Sequence, residues 1–143
     1  MKFKDFPVPN STLTNIEIDD WARKLNLKDY CPHRMLDEVK GKAKVNECGI
    51  INLDKSTGVG THYVCYFKHG NNKIYFDSFG IKPPNEIINN LKSPILYQTF
   101  RIQKLKDTNC GRYCLYVLYR LNKGNDFKDI IFDLLEEHKF EGV

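Results

Sequence analysis

Between Asp107 and Tyr119 the chain passes from a polar turn directly into an apolar helix, and the residue at the junction is a cysteine. Leu115, Leu118 and Tyr119 recur at helical spacing, while Tyr116 and Val117 fill the other faces. An element with so little polar surface must be largely buried, so the rest of the fold has to be built around it. Asp107, Thr108 and Asn109 are all N-cap residue types, which sets the helix start at or just before Cys110. A thiol there lies at the positive end of the helix dipole beside unpaired backbone N–H groups. Both favour the thiolate, the nucleophilic form. Position alone leaves a small core cysteine as an equal reading.

Upstream, residues 1–15 carry Pro7, Pro9 and several cap-type residues and read as an extended, loosely ordered lead-in. Ile18, Trp21, Ala22 and Leu25 fall on one face and predict a short amphipathic helix over 16–25, with Trp21 as its core anchor. Pro32 is expected to break the chain, followed by a helical turn through Met35, Leu36 and Val39. Cys48–Leu53 is a short apolar run consistent with a buried strand, and 55–60 is a Gly-rich turn. Thr61–Phe67 and Lys73–Phe79 are rich in β-branched and aromatic residues, and the Gly and Asn of 68–72 join them as a hairpin. Pro83 and Pro84 suit the first turn of a helix through Leu91. Residues 94–98 form a candidate further strand, and Phe127 to Leu135 repeat as a C-terminal amphipathic helix. Strands in the middle with helices around them make a single α+β domain over residues 1–143.

Chemistry concentrates at the hairpin. A ladder that pairs Phe67 with Asn72 also places His62 opposite Asp77 on one face, with Cβ atoms about 5 Å apart. A carboxylate there holds the imidazole by its N–H and raises its basicity. The thiol best placed for that imidazole to activate is Cys110, which completes an arrangement of nucleophile, base and orienting acid. Taken singly, His62 reads as a half-buried strand histidine and Asp77 as a strand-end residue. Gln103, with the backbone N–H of Cys110, is a candidate donor pair for an oxyanion, against the plainer reading of an exposed polar residue.

With these residues in view, the chain resembles the adenain-like cysteine proteases of adenovirus, virophages and Polinton-type transposons. The wider group includes the ubiquitin-like-protein proteases. The resemblance rests on His62 in Gly60-Thr-His-Tyr63, Asp77 in Tyr75-Phe-Asp-Ser-Phe-Gly80, Gln103, and Cys110-Gly111, in that order. It is joined by Cys48-Gly-Ile-Ile-Asn-Leu-Asp54 and covers about residues 46–120. It implies an adenain-like, papain-like α+β fold. A central mixed sheet would carry His62 and Asp77 on a β-hairpin and pack on a central helix with Cys110 at its N-terminus, with further helices around. It implies peptide hydrolysis through a thioester, with Asp77 orienting His62 and with Gln103 and the Cys110 N–H binding the oxyanion. Substrates would be viral capsid precursors cut near glycine, inside an infected cell's cytoplasm or nucleus and in some cases in the virion. Where the family often has tryptophan after the histidine, Tyr63 is expected to take the same stacking role. No cysteine lies between Cys65 and Cys110 to accept a disulfide-linked activating peptide.

Composition narrows the remaining readings. A balance of 22 Lys and Arg against 18 Asp and Glu supports at most a weak association with DNA. No apolar run approaches the ~20 residues that cross a bilayer, and the N-terminus lacks a signal-peptide core. Five cysteines without paired spacing speak for a reduced intracellular protein and against a disulfide framework. Neither a cofactor nor a metal is expected: no Cys-x-x-Cys or His-x-x-x-His pair is present, although Cys114 lies one turn beyond Cys110. Cys65 reads as core. Cys31 and His33 form a second Cys/His pair, but without an acid partner. His69 and His138 read as solvated, and the chain as a monomer. Three alternatives stay open: a deconjugating protease for a ubiquitin-like modifier, an acetyl transferase through the same cysteine, and a catalytically silent binding domain.

Overall fold

The computed structural model describes residues 1–54, 62–104 and 106–140. Its elements follow in the order α1 (Asn15–Lys24), β1 (Tyr30–Met35), β2 (Asn46–Asn52), β3 (Tyr63–His69), β4 (Asn72–Phe76), α2 (Asn85–Leu91), α3 (Cys110–Asn122) and α4 (Phe127–Phe140). Short 3-10 turns occupy Phe3–Asp5 and Leu36–Glu38. The four strands form one mixed sheet in the order β1-β2-β3-β4, with β1 parallel to β2 and the other neighbours antiparallel. This is the α+β architecture expected from the sequence. The Gly-rich turn over 55–60, and Thr61 with it, lie outside the described residues.

Helix α3 begins at Cys110 and is buried without interruption from there through Leu118. It packs against one face of the sheet, where Cys48, Ile50, Tyr63, Cys65 and Phe76 point towards it. The alternate strand residues Ile51, Val64, Tyr66 and Tyr75 point the other way and pack with Ile87 and Leu91 of α2. Strands β2, β3 and β4 are therefore apolar on both faces, and the sheet forms the middle layer of three.

The N-terminal lead-in is not loosely ordered. Phe3, Phe6, Val8 and Leu13 are buried in the α3 cluster. Phe3 stacks on Tyr113 at 4.4 Å between ring centroids, and Phe6 meets Tyr116 edge-on at 5.3 Å. The Arg112 guanidinium donates to the carbonyls of Val8, Phe3 and Phe6 at 2.8, 2.6 and 2.9 Å. Glu137 of α4 accepts from the Phe3 and Lys4 N–H groups at 2.8 and 3.1 Å. A chain segment with no helical or strand period is thus held by two charged side chains that satisfy its backbone.

Other departures have local causes. Helix α1 starts at a capping box in which Thr14 accepts from the Glu17 N–H and Glu17 accepts from the Thr14 N–H. Its buried residues are Ile18 and Ala22. Trp21, the expected anchor, is only partly buried, with Lys24 Nζ 4.7 Å from its ring centroid. Pro32 does not end the chain's regularity but lies inside edge strand β1, at the irregularity between Cys31 and Arg34 where no ladder N–H is needed. Residues 94–98 contribute only a single bridge, Ile74 to Leu96, in place of a strand.

Candidate active site

The β3–β4 hairpin turns over Gly70 and Asn71 alone, because His69 pairs with Asn72 and Cys65 with Phe76. The sequence suggested a longer turn, and the true register is displaced by two residues. A shift of two keeps every side chain on its face, whereas a shift of one would have reversed them. His62 and Asp77 therefore still share a face, just beyond the ladder's end, as diagonal neighbours. His62 Nε2 lies 2.6 Å from Asp77 Oδ1.

Asp77 is 1% exposed, and its Oδ1 also accepts from the Phe79 N–H at 2.8 Å. Gln98 donates to the Asp77 backbone carbonyl. With Nε2 committed to the carboxylate, the other ring nitrogen of His62 is left for the Cys110 thiol, which also acts to raise the pKa of the ring. Burial by itself would lower the pKa of this imidazole. The hydrogen bonds and charges of Asp77 and Cys110 outweigh burial and push it up to about 9. The imidazolium is the favoured form beside these two acids.

Cys110 is the first residue of α3 and is buried at 6% exposure. Its sulfur accepts from the Tyr63 N–H at 3.4 Å. Asn109 holds the N-cap position, but its side chain does not cap the helix and donates to Asn10 Oδ1 at 2.5 Å. The expected side-chain cap from Asn109 is therefore absent, and its amide ties the residue before Cys110 to the N-terminal segment.

Gln103, read as either an oxyanion donor or an exposed polar residue, is 1% exposed. Its Nε2 donates to the Asp107 carbonyl at 2.7 Å, and its Oε1 accepts from Ser78 Oγ at 2.5 Å. One amide N–H remains outside these two bonds. The Ser78 carbonyl accepts from the N–H groups of Ile102 and Gln103 at 2.8 and 3.0 Å, so the residue after the acid holds the segment that carries the amide. Gly80, at φ +73°, lets the two segments meet backbone to backbone, since a Cβ there would stand 2.3 Å from the Phe100 carbonyl carbon.

Tyr63 does not stack on the histidine. Its hydroxyl donates to Asn15 Oδ1 at 2.7 Å, and the ring on His62 is that of Phe79. Cys114 donates to the Tyr63 carbonyl at 3.4 Å, and burial, with Cys65 beside it, raises its thiol well above the ordinary range. Cys48 is likewise pushed up to about 12 by burial. His33 does have an acid partner: its Nδ1 lies 2.5 Å from Asp19 Oδ2, in a pair set apart from Cys110 on α1 and β1. His138 is not simply solvated, since its Nε2 meets the Tyr113 hydroxyl at 2.6 Å. Among the described residues, no three His, Cys, Asp or Glu side chains converge as a metal site. Phe79, Ser78 and Gln98 escaped the sequence reading. Only the position of Phe79 and Ser78 beside Asp77 hinted at them.

No family model matches the chain. The SUMO-1 cysteine protease of African swine fever virus is 28% identical over an alignment of 153 residues, which covers 74% of this chain and 56% of the viral protein. The chain thus spans little more than half the length of that curated relative. Two crystal structures of the African swine fever virus protease, one with selenomethionine, superpose with a TM-score of 0.62 each. They are 22% and 19% identical, cover 91% of this chain in both cases, and are themselves covered to 68% and 67%. In sequence this chain is similar to the SUMO-1 cysteine protease of African swine fever virus, and in structure it shares the fold of that virus's protease.

Proposed function

We propose that this protein is a cysteine protease that hydrolyses peptide bonds through a thioester on Cys110. The observation that carries the reading is His62 held between Asp77 and Cys110 at the mouth of a buried helix start. In the resting pair the imidazolium stabilises the thiolate. Sulfur attacks the scissile carbonyl, and its oxygen becomes an oxyanion that the Cys110 N–H and the remaining N–H of Gln103 accommodate. Collapse of this intermediate breaks the C–N bond as His62 gives its proton to the leaving amine. His62, now neutral, takes a proton from water, which attacks the thioester. The acid product leaves and the thiolate–imidazolium pair is restored. Asp77 keeps Nε2 protonated and the ring aligned throughout.

For the substrate, the viral relative is named as a SUMO-1 cysteine protease, which favours the C-terminal tail of a ubiquitin-like modifier over a capsid precursor. Both are extended chains delivering a carbonyl to a narrow thiol site. The test is cleavage of a SUMO-type C-terminal fusion and of a glycine-containing capsid-derived peptide by wild type and by Cys110→Ala. Cleavage lost in Cys110→Ala supports the protease reading, and the preferred substrate chooses between the classes. Acetylation of Cys110 by acetyl-coenzyme A without cleavage of either substrate would replace hydrolysis with acyl transfer.

A further inference from the structure

Ser78 has no part in the thiol chemistry, yet it is fully buried and makes the only side-chain hydrogen bond to Gln103 seen among the described residues. The orientation of the Gln103 amide follows from its two partners. The Asp107 carbonyl can only accept, so the amide atom facing it at 2.7 Å must be the nitrogen. The amide oxygen therefore faces Ser78, and at 2.5 Å the hydroxyl must donate to it. If the amide turned over, two acceptors would face each other at Asp107. We infer that Ser78 is a positioning residue for the oxyanion donor: its hydroxyl locks the Gln103 amide so that an N–H, and not the carbonyl oxygen, is presented at the nucleophile. The inference rests on the protease reading above and extends it by one residue.

The hydroxyl is separable from the backbone role of the same residue. The Ser78 carbonyl keeps its bonds from Ile102 and Gln103 whatever the side chain, so Ser78→Ala removes the orienting bond and leaves the segment carrying Gln103 in place. Alanine also adds no volume to a site with no exposed surface. Because Ser78 follows Asp77 directly, the acid and the oxyanion donor are held by adjacent residues of one turn.

The experiment compares two reactions of Cys110 in wild type, Ser78→Ala, Ser78→Cys and Gln103→Ala. Alkylation by iodoacetamide consumes the thiolate without forming an oxyanion, whereas turnover of p-nitrophenyl acetate requires one. Ser78→Ala should lower kcat for the ester about 10- to 100-fold, no more than loss of a whole oxyanion donor. KM and the alkylation rate should stay at wild-type values, and Ser78→Cys, with its weaker donor, should fall between. Combined with Gln103→Ala, Ser78→Ala should add no further loss. Alkylation slowing in step with turnover would overturn the inference, since Ser78 would then act through Asp77 or the fold; so would an unchanged kcat. Wild type that alkylates quickly but turns over no ester would instead sink the protease reading. In that case the side-chain amide resonances of Gln103 decide: faster exchange in Ser78→Ala upholds the lock, and unchanged exchange refutes it.

Discussion

The imidazole of His62 lies flat on the ring of Phe79, with centroids 4.5 Å apart and planes 12° from parallel. Phe79 also donates its backbone N–H to the same Asp77 oxygen that the imidazole engages. One residue therefore limits both the tilt of the ring and the position of the acid. Stacks of this kind contribute about 0.5–1.5 kcal/mol beyond the area they bury. Phe79→Ala should lower kcat about 3- to 10-fold through a less ordered histidine, and Phe79→Tyr should retain most of the rate. Steady-state kinetics of the two variants, with His62 ring resonances as a check on its order, tests this.

The His62–Asp77 pair should make stability and activity depend on pH in one direction. The folded pKa, about 9, stands above the ordinary value of 6.5. Folding thus favours the protonated ring, and the resulting stability is complete below 6.5 and lost as pH rises through 9. Activity that depends on the imidazolium should fall on the same alkaline limb. Asp77→Asn removes the main raising partner while burial remains, so the His62 pKa should drop and the loss of stability between 6.5 and 9 should shrink. Titration of the His62 ring by NMR, with Tm measured across that range, reads both effects.

Gly80 and Gly70 both hold positive φ, at +73° and +59°, but only one is crowded. A Cβ at Gly70 meets nothing within 4 Å, so Gly70→Ala should cost only the backbone term of about 1–2 kcal/mol. At Gly80 the added carbon would lie 2.3 Å from Phe100 backbone, which has no rotamer through which to yield. Gly80→Ala adds at least an overpacking cost of about 1–3 kcal/mol and should part the Ser78 turn from the segment carrying Gln103. Chemical denaturation of the two variants should rank them widely apart, with activity lost only in the Gly80 variant.

Arg112 should be among the most costly side chains to remove outside the thiol site. Burial lowers its pKa from the usual guanidinium value, yet it serves three carbonyls, of which that of Phe3 also accepts from the Phe6 N–H at 3.1 Å. Arg112→Met would take the guanidinium's bond from the Val8 and Phe6 carbonyls, at a cost of about 1–3 kcal/mol for each acceptor left unsatisfied. Hydrogen exchange should rise first in residues 3–8. Retained protection there, with unchanged Tm, would refute the clamp.

Much of the site was legible because its signals are short-range. The change from polar turn to apolar helix marks Cys110 as the start of α3, and the Gly-Asn turn between two β-rich runs marks the hairpin. The order His62, Asp77, Gln103, Cys110 required no coordinates. Even the mistaken register preserved the shared face of His62 and Asp77, since strand alternation is insensitive to a shift of two.

Tertiary structure decided which side chain each of these residues meets. Ser78 and Gln103 are 25 positions apart, and Arg112 reaches carbonyls 104 to 109 positions away. No periodicity links such pairs, so the stacking role passed from Tyr63 to Phe79 and an apparently loose lead-in became core. Helix starts, turns and strand faces follow from backbone bonding over a few residues. The partners of a buried amide, ring or guanidinium follow from which distant segments close packing brings together, and from the rule that buried polar groups must find a partner.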